Sequence, residues 1–126
     1  MAKRQSVPVY LNLFRMHFPV GAVTSIAHRC SGVILFVALP LTVYLLDLSL
    51  RDAAGFEQAS MILQQVWARF ALALVVWSLF HHLFAGIRFL LIDLEVGVSR
   101  QRARLSARLV NAAALLAAFL FLGYLS

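Results

Sequence analysis

Three long apolar stretches, separated by polar and basic connections, set the pattern of this chain. The first is uncharged from Cys30 to Leu46 and, with its polar entry, predicts a crossing helix over residues 26–48. The second is uncharged from Phe70 to Ile87 and predicts a helix over 67–92, with Arg88 free to snorkel towards the membrane surface. The third, rich in alanine and leucine from Leu109 to Tyr124, predicts a helix over 106–125. Each approaches or exceeds the roughly 20 apolar residues that a bilayer crossing needs. Pro40 falls inside the first helix and is expected to kink it. Between the first two crossings, Asp47 to Arg69 is polar and reads as an extramembrane loop containing a short helix. Ahead of the first, Met1 to about Thr24 is a basic segment broken by Pro8 and Pro19. Val9, Leu11 and Leu13 alternate there with Tyr10 and Asn12, as in an extended piece or an interfacial helix. Phe18-Pro19 marks a boundary, because the residue before proline avoids helical angles.

Composition agrees with the pattern. The chain of 126 residues is 63% hydrophobic and 13% charged, with a mean hydropathy of +0.89. That excludes an ordinary soluble domain and describes one all-α membrane domain over residues 1–126. The net charge of +6 does not indicate nucleic acid, because the basic residues flank apolar runs. Lys3, Arg4, Arg15 and Arg29 precede the bulk of the first crossing. Arg51 and Arg69 lie in the loop after it, and Arg88, Arg100, Arg102, Arg104 and Arg108 follow the second. The positive-inside rule then puts the amino terminus inside and the carboxyl terminus outside. A single cysteine, Cys30, cannot form an intramolecular disulfide and reads as a small helix-packing residue. No apolar segment before Pro19 resembles a cleavable signal.

Chemistry concentrates in the second crossing, where His81 and His82 sit side by side within the uncharged run. An intramembrane histidine is costly unless a partner, a cavity or a metal takes up its ring nitrogens. Ser78, His82 and Gly86 are spaced four apart and are expected to share a helix face. Small residues on either side of His82 would leave a slot for something flat, such as a haem. The two histidines could equally pack between helices and hydrogen-bond to a carbonyl. With the inferred topology, Ser25, His28, Arg29, His82 and Arg88 are expected to form one polar cluster in the inner leaflet. Asn111, near an end of the third crossing, is expected to touch headgroups or a neighbouring helix.

SIAHRCSG at Ser25 to Gly32 and HLFAGIRFLLID at His82 to Asp93 resemble the cytochrome b556 membrane-anchor subunit family of succinate dehydrogenase. PVYLNLFRMHFP and GFEQAS extend the likeness over most of the chain. The resemblance implies a three-helix anchor that pairs with a second small anchor subunit as half of a heterodimeric haem-binding helix bundle. The pair would hold one haem b between a histidine from each. By position His82 matches the haem-iron ligand, while His81 matches none. Ser25 and Arg29 match residues that help to bind ubiquinone, and His28 and Arg29 match groups near the haem propionates. Two departures stand out: Phe89 replaces a histidine found in many relatives, and Val7-Pro8 replaces an Arg-Pro.

The same resemblance implies a place in succinate:ubiquinone oxidoreductase, in the respiratory chain and tricarboxylic acid cycle, in a bacterial inner membrane. FAD and the iron–sulfur clusters would belong to a flavoprotein and an iron–sulfur subunit docked on this anchor. One cysteine cannot supply a cluster's ligands, so electron transfer and quinone binding would be this chain's part and no catalytic residue is assigned. Two other classes share parts of this pattern. A haem subunit of a formate dehydrogenase or hydrogenase would carry both axial histidines in one chain, usually across four helices. A transporter or assembly scaffold would be expected to hold an acid at mid-membrane, whereas all five acids here lie in loops or at helix ends.

Overall fold

The computed structural model describes residues 18–125, and all regular structure among them is helical. Four helices follow in order: α1 (Val20–Arg51), α2 (Ala53–Gln64), α3 (Val66–Asp93) and α4 (Arg100–Leu125). The alternation at Val9 to Leu13 and the basic residues Lys3, Arg4 and Arg15 lie outside the described residues. Three helices, α1, α3 and α4, are long and apolar enough to span a membrane. At 1.5 Å per residue α1 is roughly 48 Å long and α3 roughly 42 Å, so both outrun a hydrocarbon core of about 30 Å.

That excess accounts for the difference from the sequence boundaries. Hydropathy marks what lies in lipid, but a helix continues until its backbone meets a stop signal. Asp47 to Arg51, read as loop, forms the last turn of α1, where Arg51 pairs with Asp47 across an i, i+4 step. Asp52 then breaks the helix and caps the next, its carboxylate accepting from Gly55 N at 2.7 Å. Gly55 is required at this elbow. A Cβ there would run into the carbonyl oxygen of Leu48, so only glycine lets α2 begin so close to α1. The α3–α4 turn uses left-handed backbone at Glu95 (φ 60°) and Gly97 (φ 75°). Pro40 sits inside α1, which continues through it.

Small and polar side chains fill the interior, and large apolar ones face outward. Ala85, Ala107 and Ala114 are fully buried, as are Thr24, Ser31 and Ser78, whereas Phe36 and Phe119 are 78% and 76% exposed. Such a surface would be unworkable in water. In a bilayer, lipid tails solvate large side chains, and helices associate through small residues and polar contacts. Helix α3 is central, packed against α1 on one side and α4 on the other. Cys30 is exposed instead of packing between these helices, because Ser31 and Gly32 take the inward positions next to it.

Candidate functional site

Antiparallel packing of α1 on α3 brings two histidine–glycine pairs together. His28 and Gly32 are one turn apart on α1, and His82 and Gly86 are one turn apart on α3. Each ring lies over the other helix's glycine. A Cβ on Gly32 would come within 2.9 Å of His82 Cε1, and one on Gly86 within 3.6 Å of His28 Nε2. The two imidazoles stack with centroids 4.1 Å apart and planes 9° from parallel. Phe89 packs edge-on against His28, with centroids 5.2 Å apart.

Hydrogen bonding fixes which nitrogen of His82 carries the proton. Nδ1 lies 3.1 Å from the His28 carbonyl oxygen and 3.3 Å from Ser31 Oγ, whose own proton goes to that carbonyl at 2.8 Å. A carbonyl can only accept, so Nδ1 donates, and in the neutral imidazole Nε2 then keeps its lone pair. This is the arrangement of a metal-ligating histidine, whose second nitrogen is held by a backbone carbonyl. His82 also borders an open cavity of 430 Å³ whose walls include His28, Arg29, Gly32, Val33 and Phe36. That volume lies within the range of about 300–1,000 Å³ typical of small-molecule sites. An apolar wall, a lone-pair imidazole and an exposed arginine at the rim suit a flat apolar ring with acidic substituents. These residues fit a haem.

The remaining expected residues are distributed differently. Ser25 is half-buried one turn before His28 and does not line the cavity, while Arg29 is exposed at its rim. Ser78, expected to share a slot with His82, is fully buried and lines no part of that cavity. Its nearer companion in burial is His81, three residues on. Arg88 neither snorkels nor joins the group. It is 7% exposed and turned towards α4, where Nε donates to Ser106 Oγ and Nη2 to the Ala103 carbonyl, both at 3.0 Å. The expected single cluster therefore divides into two groups, the stacked histidines between α1 and α3 and Arg88 hydrogen-bonded to α4, with the Phe89 ring between them, 5.2 Å from His28 and 5.3 Å from the Arg88 guanidinium carbon.

His81 has its own partner. Its Nε2 donates to Asn111 Oδ1 of α4 at 3.1 Å, and the same oxygen accepts from Thr24 Oγ1 of α1 at 3.2 Å. Asn111 thus joins all three membrane-length helices through one amide. Residue numbering offered no sign of this, since Thr24 and Asn111 stand 87 positions apart. Gly32 was more accessible: its four-residue spacing from His28 repeats the spacing of Gly86 from His82.

Residues 3–121 match the family model for the succinate dehydrogenase/fumarate reductase transmembrane subunit. The chain belongs to this family. As a member, it is 40% identical over 101 residues to the succinate dehydrogenase cytochrome b556 subunit of Coxiella burnetii, covering 79% of this chain and 81% of that protein. It is 27% identical over 113 residues to the subunit of the same name from Paracoccus denitrificans, covering 90% and 85%. As a succinate dehydrogenase/fumarate reductase transmembrane subunit of the cytochrome b kind, the chain is a multi-pass membrane protein, which agrees with its three crossing-length helices. The all-α fold expected from sequence holds, and so does the family resemblance.

Proposed function

We propose that this chain is the haem-bearing anchor of a succinate:ubiquinone oxidoreductase. In this reading it docks an iron–sulfur subunit and a flavoprotein to a bacterial inner membrane and shares one haem b with a second small anchor subunit. The observation that carries the proposal is the setting of His82: Nδ1 lies 3.1 Å from the His28 carbonyl oxygen, which leaves Nε2 of the neutral ring free to ligate, and the residue borders an apolar cavity. Haem b, when bound, supplies a one-electron centre next to the quinone site. His82 would hold its iron, with His28 and Arg29 near its propionates. Each of those charged contacts is stronger than a neutral hydrogen bond.

For quinone, the roles fall to Ser25 and Arg29. Reduction to quinol consumes two electrons and two protons, and negative charge develops on a carbonyl oxygen before protonation. The Ser25 hydroxyl would donate to one quinone carbonyl, and the Arg29 guanidinium would stabilise the developing charge. Arg29 is exposed and has no carboxylate partner among the described residues, so it is available for this role. Electrons would arrive from succinate through FAD and iron–sulfur clusters in the partner subunits. The amino terminus lies inside in this reading, which puts Ser25 and Arg29 on the cytoplasmic side.

Co-expression with the partner subunits, followed by a dithionite-reduced minus oxidised spectrum, tests the haem assignment. The complex should give a low-spin b-type spectrum, and His82→Leu should abolish or alter it while His81→Leu retains it. The opposite pattern would exclude His82 as the ligand. In the same complex Arg29→Leu should lower quinone reduction by roughly 10²–10³ while succinate oxidation by a soluble dye continues. An equal fall in both assays would refute the quinone role.

A further inference from the structure

The second flank of α3 carries a feature that the haem and quinone reading leaves unused. Arg88 is a buried cation whose partners are neutral. Ser106 Oγ and the Ala103 carbonyl take two of its N–H groups, and its Cζ lies 5.3 Å from the centroid of the Phe89 ring; most of its donors are left over, and no anion answers its charge among the described residues. No carboxylate lies within ion-pair distance among the described residues, and residues 1–17 contain no Asp or Glu. A charge held this far from water is strongly unfavourable without a counter-ion.

Beside it is a cavity of 330 Å³ between α3, α4 and the turn that joins them. Ile87, Leu91 and Val110 give it alkyl walls, and Arg102 stands with Arg88 on its border. The connection also supplies Arg100, Arg104 and Arg108 against two acids, Asp93 and Glu95, so this end of the helix pair stays net cationic. An apolar cavity with two arginines on its border is complementary to an amphiphile with an anionic head. Free phosphate would answer the charge but leave the alkyl walls empty. A partner's carboxylate would do the same.

We infer that the α3–α4 cavity holds one anionic phospholipid, its phosphodiester against Arg88 and Arg102 and an acyl chain along Ile87, Leu91 and Val110. The lipid supplies the counter-charge that the chain lacks and fills the space between two membrane helices. Lipid at this cavity is independent of haem at His82.

The experiment uses the chain purified with its co-expressed subunits, delipidated in detergent and titrated with phosphatidylglycerol or phosphatidylcholine under native mass spectrometry. Basic residues near a membrane surface contribute roughly 5-fold each towards anionic lipid, so two give a preference of about 25-fold for phosphatidylglycerol. Arg102→Gln should lower that preference about 5-fold. Leu91→Trp, which fills the cavity without touching charge, should remove one bound lipid per complex. Equal affinity for both lipids would overturn the inference, as would an unchanged lipid count in Leu91→Trp. Displacement of phosphatidylglycerol by an equal concentration of inorganic phosphate would overturn it too, because the acyl chain would then contribute nothing. A reduced-minus-oxidised spectrum on the same samples separates this result from any failure of haem assignment.

Discussion

Replacing Asn111 by leucine removes an amide on α4 that is hydrogen-bonded to both α1 and α3. Its Oδ1 accepts from His81, which is 2% exposed, and from Thr24. Thr24 has a fallback, because its hydroxyl also lies 3.0 Å from the Val20 carbonyl. His81 Nε2–H has none among the described residues. The cost is therefore chiefly one unsatisfied buried donor, about 1–3 kcal/mol. Interhelical hydrogen bonds in membranes average about 0.6 kcal/mol in double-mutant cycles and reach about 1.7. We expect a coupling between Asn111 and His81 within that span. Removing both polar partners should therefore cost less than the two single changes added together. The assay is unfolding in mixed micelles followed by the fluorescence of Trp77, whose ring lies 5.2 Å from that of His81, in a Trp67→Phe background. The four variants are the parent, Asn111→Leu, His81→Leu and the double. Strict additivity, within about 0.5 kcal/mol, would refute a direct bond between the two side chains.

Other outcomes follow from the glycines. Gly32→Ala should displace His82, since the added Cβ would lie 2.9 Å from its ring, whereas Gly86→Ala meets His28 at an ordinary 3.6 Å and should be tolerated; haem content of the co-expressed complex distinguishes the two. Gly55→Ala drives a Cβ into the Leu48 carbonyl, and overpacking of this kind costs about 1–3 kcal/mol, measurable in the same micelle assay; an unchanged midpoint would contradict the close approach of α2 to α1.

The crossings were legible because lipid selects on hydropathy, and hydropathy is written locally. Side-chain direction was less so. Ser78 lies about 40° from His82 around a helix and about 60° from His81 on the other side, a difference too small for periodicity to decide. It was settled by α4, which covers the His81 side and leaves His82 to α1. Arg88 shows the same limit. A basic residue near a helix end suggests snorkelling, and only the fold brings Ser106 and the Ala103 carbonyl within reach of it. Asn111 was expected to meet headgroups or a neighbouring helix, and the partner proved to be two helices at once.

The crossed histidine–glycine pairs have a consequence for how the two helices find each other. Because the helices run antiparallel, sliding one by a single turn, about 5.4 Å, would not exchange one good contact for another. It would take both rings off both glycines together and set imidazoles against bulkier neighbours. A half-correct docking therefore has no halfway reward. The pair works like a two-pin plug, seated fully or not at all, and a change at either ring leaves the opposite glycine facing a mismatch. Drift at His28, Gly32 or His82 should come as linked substitutions on α1 and α3, whereas Gly86, where an added Cβ meets His28 at 3.6 Å, can change alone to alanine.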